Sequence, residues 1–216
     1  VVNCGDTSES RNNVILILVE SFRAVDVGIY GGLKSITTKF DELSKEGILF
    51  KNFYANGHQT KHGQVASYCS VVPNYGVAIM DHYSTNSFYC LPEFLKDKGY
   101  STSWNHAADS SFDGEAFFLL KNGFHKRFDR NDFTENSEKL GWGVSDEELF
   151  NKALDVIKKE DQPFFGSILT ITNHHPFEVP EEFNLNLGSR EVHNFLNTLH
   201  YSDKQLGTFI DKAKKQ

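Results

Sequence analysis

The aliphatic run Val14-Ile15-Leu16-Ile17-Leu18-Val19 constrains the fold of this chain more than any other stretch. Without alternation it cannot line a sheet that is wetted on one face. It fits a strand buried on both faces, in the middle of a parallel sheet. It is far shorter than the about 20 apolar residues a membrane-spanning helix needs. The run ends abruptly at Glu20-Ser21-Phe22, which predicts a carboxylate just beyond the carboxyl end of a central strand.

The rest of the chain alternates between strand and helix signals. Thr37 or Thr38 is expected to cap a short helix through Phe40, Leu43 and Ser44, closed by Gly47. Residues 48–54 then read as a second strand, and a polar turn over 56–63 leads into a helix over 64–72. Residues 91–99 carry Pro near the start and Gly at the end of a helix, and 100–105 form a strand that runs out at His106. A helix is expected over 112–121 and an extended segment over 124–128. Ser145-Asp146-Glu147-Glu148 has the form of a capping box, followed by the apolar stripe Leu149, Ala153, Val156 and Ile157. Residues 164–172 repeat the buried-strand pattern and end at Asn173-His174-His175-Pro176. Phe195, Leu199, Leu206, Phe209 and Ile210 give the tail a helical period. This order predicts an α/β fold with a mostly parallel central sheet and helices on both faces. It predicts one domain over residues 13–216, with 1–12 a leader or linker.

Lys and Arg number 22 against 29 Asp and Glu, a net charge of −7, which argues against a nucleic-acid partner. The only methionine is Met80, so Val1 is not expected to be a translation start, and any anchor upstream would lie in a segment outside this chain. Cys4, Cys69 and Cys90 match no zinc spacing and are too few for a disulfide scaffold. Cysteine arithmetic leaves open either a Cys69–Cys90 bridge in an oxidising compartment or three unpaired thiols.

In open α/β sheets, ligands bind beyond the carboxyl ends of the strands. Glu20, His106 and His174 each follow a predicted strand, and Thr60 lies between the second strand and a helix. The topology should bring these four to one sheet edge. Each also has a plainer reading. Glu20 could be a loop partner, Thr60 an ordinary N-cap, and the histidines structural, with His175 as good a candidate as His174. Together they suit phosphoryl chemistry. A carboxylate and a hydroxyl can share a hard divalent cation that turns the hydroxyl into a nucleophile. A helix N-terminus favours a phosphate, and two histidines can hold its oxygens or protonate a leaving group. His58 and His62 flank Thr60 as weaker ligand candidates, and Asp81-His82 is read as a surface loop.

The stretches 13–22 and 50–63 resemble the alkaline phosphatase/sulfatase superfamily, most closely its branch of lipoteichoic acid synthases and phosphoglycerol transferases. Asn122-Gly123-Phe124, Gly141-Trp142-Gly143-Val144-Ser145-Asp146 and Thr170-Ile171-Thr172-Asn173-His174-His175-Pro176-Phe177 are similar to further landmarks of that branch, in the same order. Tyr201-Ser202-Asp203 fits the helix that follows.

The resemblance implies that Glu20 and Thr60 are metal ligands, that Thr60 is also the nucleophile, and that His106 and His174 contact the phosphate-bearing substrate. The cation it implies is manganese, with magnesium or zinc as alternatives. Sulfatases carry Cys or Ser at the nucleophile position, so Thr60 speaks against sulfate ester hydrolysis. The implied reaction is transfer or hydrolysis of a phospholipid headgroup phosphodiester through a phosphothreonine. Its donor would be a phospholipid and its acceptor a glycan or glycolipid, outside the cytoplasm at a bacterial membrane. A phosphoethanolamine transferase, a phosphodiesterase and a non-catalytic module that binds a partner or glycan are the alternatives.

Two departures from the pattern stand out. The Trp and Arg that follow the first histidine in that branch are matched here by the stretch Phe112-Asp113-Gly114-Glu115. The Asp-His-Gly that completes the family's metal site is expected only after Gln216, so the 216-residue chain is expected to be inactive alone.

Overall fold

A computed structural model describes residues 11–74, 76–111, 114–188 and 190–216. The expected leader or linker, apart from Arg11 and Asn12, lies outside the described residues, as do Cys4, Phe112 and Asp113. Strand β1 (Val14–Leu18) is followed by helices α1 (Thr38–Leu43), α2 (Thr60–Cys69), α3 (Ile79–His82) and α4 (Leu91–Asp97). Then come β2 (Ser101–His106), α5 (Glu115–Lys121) and β3 (Lys126–Phe128). A small hairpin of β4 (Lys139–Leu140) and β5 (Gly143–Val144) precedes α6 (Asp146–Ile157), β6 (Phe164–Leu169) and the long α7 (Glu191–Ala213).

The main sheet has the order β1-β6-β2-β3 and every pairing in it is parallel. The unbroken apolar runs are explained by what covers the two faces. Ile15, Ile17, Phe164 and Ile168 pack under α6 and α7 with Leu149, Ala153, Leu206 and Phe209. The alternate residues Leu16, Leu18, Phe165 and Leu169 pack on the other side with Val65 and Tyr68 of α2 and Phe118 of α5. A strand sandwiched in this way has no wet side, so both sets of side chains must be apolar. Trp104, at 0% exposure in β2, fills the second layer.

Buried carboxylates tie the loops to this frame. Asp146 accepts from the backbone N–H of Ile171 and Thr172, each at 3.1 Å, and from the Ser202 hydroxyl at 2.6 Å. It thereby fixes the chain leaving β6 against α7. Asp203 of α7 accepts from the Lys39 and Phe40 N–H groups, both at 2.8 Å, and so caps α1. Thr37, one of the two residues expected to cap it, does stand at the N-cap, but its side chain makes no capping bond and accepts from the Gly28 N–H at 2.9 Å.

Several expectations change. Residues 48–54 form no strand, and Ile48, Phe50, Phe53 and Tyr54 are exposed. A strand needs a hydrogen-bonded neighbour, and among the described residues β1, expected in the middle of the sheet, is instead its edge, with β6 as its only pairing; it is the cover on both faces, not a central place, that its apolar run reports. Helix α2 begins at Thr60 rather than at 64, which makes Thr60 its first residue and Gln59 its N-cap. Ser145 accepts from the Glu148 N–H as expected of a cap at the start of α6. Asp81 and His82 lie in the single turn α3 rather than a loop, and Asp81 pairs with Lys61 at 2.5 Å. A Cys69–Cys90 disulfide is formed, joining the end of α2 to the N-cap of α4. Among the described residues no helix is long and apolar enough to cross a membrane.

Candidate active site

The carboxyl ends of all four parallel strands open onto one cavity of about 710 Å³, whose lining includes Glu20, Thr60, His106 and His174. The four residues are far apart in sequence. The sheet order brings them together because each follows a strand or, for Thr60, begins the helix packed beside β1.

Glu20 is held by its backbone. Its N–H donates to the Thr170 hydroxyl at 2.9 Å, and its carbonyl and that of Ser21 accept from the Asn173 amide at 3.1 and 3.2 Å. Asn173 is in turn anchored by the Thr198 hydroxyl at 2.5 Å. Ser21 sits at φ +50°, a left-handed conformation uncommon for a residue with a Cβ. The sharp turn it makes leaves the Glu20 side chain in the cavity, where Ser21 donates its hydroxyl to Oε1 at 3.0 Å.

The Thr60 hydroxyl donates to Glu20 Oε2 at 2.9 Å. Thr60 opens α2, whose first turn contains no acidic residue and whose N-cap Gln59 makes no side-chain capping bond. The first N–H groups of a helix carry partial positive charge, and here that end adjoins the cavity. A carboxylate, a hydroxyl and a helix N-terminus thus meet at one point.

The two histidines are held differently. His106 is buried, and its Nδ1 lies 2.9 Å from the Leu169 carbonyl, an oxygen that can only accept, so Nδ1 carries the proton. Nε2 is left with its lone pair. Burial lowers the pKa to about 4, against the Leu169 hydrogen bond and Asp129, both of which raise it, so the ring is neutral near pH 7. His106 is therefore an acceptor rather than a cation for phosphate, which narrows the role expected of it. His174 is half-buried, donates Nδ1–H to the His175 carbonyl at 2.9 Å and lies tilted against Trp142 with ring centroids 4.3 Å apart. His175 is exposed, lies against Phe177 and is not among the cavity residues. His58 lines the cavity, whereas His62 is not among its lining residues and packs on Gly57, where an added Cβ would come within 2.3 Å of it.

Lys61, Asp109 and Arg130 also line the cavity without having been singled out from the sequence, and Trp142, quoted only as part of a landmark, lines it too. Trp142 stands at the two-residue tip of the β4–β5 hairpin, where Gly141 at φ +59° supplies the turn. Arg130 follows β3 in a 3-10 turn, so the strand-end rule that found Glu20 and His106 would have found it too. Its guanidinium donates to Asp109 at 3.1 Å. Ser111 donates to the same carboxylate through its hydroxyl and N–H, at 2.6 and 3.0 Å, and these bonds hold Asp109 below the usual carboxylate range. Glu115, in the stretch matched to the family's Trp and Arg, also lines the cavity and accepts from Gln64 at 2.7 Å.

A sequence model of the Sulfatase family matches residues 12–216. The chain belongs to the sulfatase family. Within it, the chain is 29% identical to a lipoteichoic acid synthase of Staphylococcus saprophyticus, over 95% of this chain and 34% of that protein. It is 28% identical to the lipoteichoic acid synthase-like YvgJ of Bacillus subtilis, over 94% of this chain and 34% of that protein. Among solved structures, an alkaline phosphatase superfamily protein from Vibrio parahaemolyticus is 36% identical, with a TM-score of 0.86, and 51% of it is covered. The lipoteichoic acid synthase LtaP of Listeria monocytogenes is 28% identical at the same TM-score of 0.86, with 52% covered. The chain therefore spans about a third of the curated relatives it matches and about half of these solved chains. The α/β fold with its parallel sheet is the alkaline phosphatase superfamily fold.

Proposed function

We propose that this sulfatase-family protein transfers the phosphoryl-linked headgroup of a phospholipid to a hydroxyl acceptor, with Thr60 as the nucleophile. The observation that carries this reading is the Thr60 hydroxyl, 2.9 Å from a Glu20 carboxylate oxygen at the start of a helix that lacks acidic residues in its first turn. The lipoteichoic acid synthase relatives support the same substrate class.

In this reading Thr60 Oγ attacks phosphorus in line with the diacylglycerol oxygen, and Glu20 receives the hydroxyl proton. The Oγ–P bond forms as the bond from phosphorus to the leaving oxygen breaks. The N-terminus of α2 favours the charge gathering on the phosphoryl oxygens. His174 keeps solvent access and is placed to protonate the leaving diacylglycerol oxygen. His106, neutral and with its proton on Nδ1, accepts a hydrogen bond from a substrate hydroxyl. In a second in-line step a glycan or glycolipid hydroxyl bonds to phosphorus as the P–Oγ bond breaks, giving its proton to His174 while Glu20 returns one to Thr60.

Glu20 and Thr60 are hard oxygen donors already in contact, and they fit a divalent cation such as manganese, magnesium or zinc as part of its shell. Such a cation would lower the pKa of the hydroxyl. Two donors fall short of a full shell of four to six, and among the described residues no group of three His, Cys, Asp or Glu could complete one. The Cys69–Cys90 disulfide supports a site outside the cytoplasm at a bacterial membrane, where such bridges persist.

The test is release of diacylglycerol by the full-length protein in the presence of manganese. Wild type should release it from phosphatidylglycerol, and Thr60→Ala should not. Wild-type turnover in Thr60→Ala would sink the proposal.

A further inference from the structure

Helix α2 carries Thr60 at its first residue, yet little apolar packing holds it, since it buries only Gln64, Val65 and Tyr68. The face it turns to the sheet is a polar stripe at helical spacing, Thr60, Gln64 and Tyr68, and each of these bonds to a different element. Thr60 donates to Glu20 at 2.9 Å, Gln64 donates its amide to Glu115 of α5 at 2.7 Å, and the Tyr68 hydroxyl lies 2.7 Å from that of Ser167 in β6. The Lys61–Asp81 pair joins α2 only to the single turn α3. Residues 48–59 form no strand or helix, and beyond Ser70, at φ +56°, an irregular stretch leads to α3.

The far end of α2 is fixed covalently, by Cys69–Cys90. Cys90 is 1% exposed and is the N-cap of α4. Its carbonyl accepts from the Phe94 N–H at 3.0 Å. Phe88, two residues before it, donates its N–H to Asn122 at 2.6 Å, and the Asn122 amide donates to the Phe118 carbonyl of α5 at 2.8 Å. The bridge thus fastens α2 to α4 and α5, which pack on the sheet around Trp104 of β2. Glu20 is fastened separately, to Thr170 and Asn173 beyond the end of β6. A helix of 10 residues is a rod of about 15 Å, so a slide at Cys69 arrives undiminished at Thr60.

We infer that Cys69–Cys90 is the positioning tie of the nucleophile: closed, it holds Thr60 against Glu20, and open, it lets α2 slide so that turnover falls. The inference rests on the reading of Thr60 as the nucleophile. It makes the site answer to thiol–disulfide exchange, although no cysteine is among the described residues that line the cavity. Cys69 is the half-buried partner and Cys90 the buried one, so a dithiol reductant attacks Cys69 Sγ. The sulfur–sulfur bond breaks with its electron pair leaving on Cys90 Sγ, which takes up the proton that the attacking thiol gives up. The reductant's second thiol then displaces Cys69 Sγ and closes the reductant's own disulfide, and Cys69 takes up the second proton. The two cysteines act only through the place they give Thr60.

The experiment compares the full-length protein oxidised, reduced with dithiothreitol, and as Cys69→Ala, well below the melting temperature. On micelles of phosphatidylglycerol, reduction should lower kcat for diacylglycerol release about tenfold to a hundredfold and leave KM within about twofold, as a displaced nucleophile would. Reoxidation should restore kcat. Cys69→Ala should start at the low kcat and ignore dithiothreitol, which separates the bridge from effects of the reagent itself. In NMR spectra the Thr60 methyl signal, identified by its loss in Thr60→Ala, should shift or broaden on reduction. That of Thr102, wholly buried in β2, should stay in place. A kcat that ignores reduction, a loss carried by KM, or a Thr60 signal that does not move overturns the tie and leaves the transfer reading intact. A reduced protein that unfolds as a whole also overturns it, since the bridge then supports the entire fold. If the oxidised wild type releases no diacylglycerol, the transfer reading fails, and the methyl signals alone decide whether the bridge positions Thr60.

Discussion

The helices α2 and α6 begin in opposite ways. At the start of α6, Ser145 accepts from the Glu148 N–H, three acids fill the first turn, and Asp146 is wholly buried among its hydrogen bonds. At the start of α2, no side chain caps the N-terminus, no acid occupies the first turn, and Gln59, Thr60 and Lys61 line the cavity. Their packing differs as well. Helix α6 buries Leu149, Phe150, Ala153, Leu154, Val156 and Ile157 against the sheet, whereas α2 buries Gln64, Val65 and Tyr68 and is pinned at its far end by Cys69–Cys90. One helix uses its dipole to hold the fold. The other leaves its dipole facing a cavity and depends on a covalent tie. A helix end whose charge is already compensated has little left to offer an anion, so of these two starts the one at α2 is the one left open to one.

The largest expected effect lies at the open end. Glu20→Gln keeps the shape but removes the carboxylate to which we assign the Thr60 proton, so turnover of the full-length protein should fall by a factor of about 10²–10⁴. The melting temperature should stay nearly unchanged. Loss of activity with an equal loss of stability would make Glu20 a structural residue like Asp146.

Next is the covalent tie. Opening Cys69–Cys90, which closes a loop with a sequence separation of 21, should cost about 3 kcal/mol in denaturant unfolding. Amide exchange should rise in α2 before α6. Equal exchange in the two helices would mean that α2 does not depend on the bridge.

His106 gives a pH signature of the cavity wall. Its folded-state value of about 4 lies below its ordinary 6.5, so between those values the unfolded chain binds more protons than the folded one. Its contribution to stability is complete above pH 6.5 and declines as pH falls towards 4, by up to about 3 kcal/mol. Unfolding curves of His106→Gln should lack this component. A variant with the wild-type pH dependence would assign the acid loss to other groups.

The smallest effects exchange the helix starts. Ser145→Ala should cost about 1 kcal/mol without touching activity. Gln59→Asp gives α2 the cap it lacks and should stabilise by a few tenths of a kcal/mol while weakening substrate binding. If Gln59→Asp raises stability and leaves KM unchanged, the open start of α2 has no role in binding.

Much of this contrast was legible in the sequence. The runs in β1 and β6 identified a parallel sheet because burial on both faces leaves no room for alternation. The Ser145 cap was readable because it is local. Residues 48–54 carry the same apolar character, yet no strand forms there, since strand formation depends on a neighbour that local pattern does not report. Thr37 stands at the N-cap of α1 as its local sequence suggests, but the capping bonds come from Asp203, which lies far along the chain and which local pattern cannot report. The strand-end rule found Glu20, His106 and His174. Trp142 reaches the cavity only through a hairpin tip, and Asp109 and Arg130 meet only because β2 and β3 are neighbours. The cavity is made by topology, and which of its outer residues meet is legible only once the strand order is known.

The central claim is that Thr60 carries the transferred group. The most direct measurement is peptide mass spectrometry of full-length protein quenched during turnover of phosphatidylglycerol. A phosphoglycerol adduct on the peptide bearing Thr60, absent in Thr60→Ala, is the predicted result. An adduct on another residue, or undiminished turnover in Thr60→Ala, would contradict it.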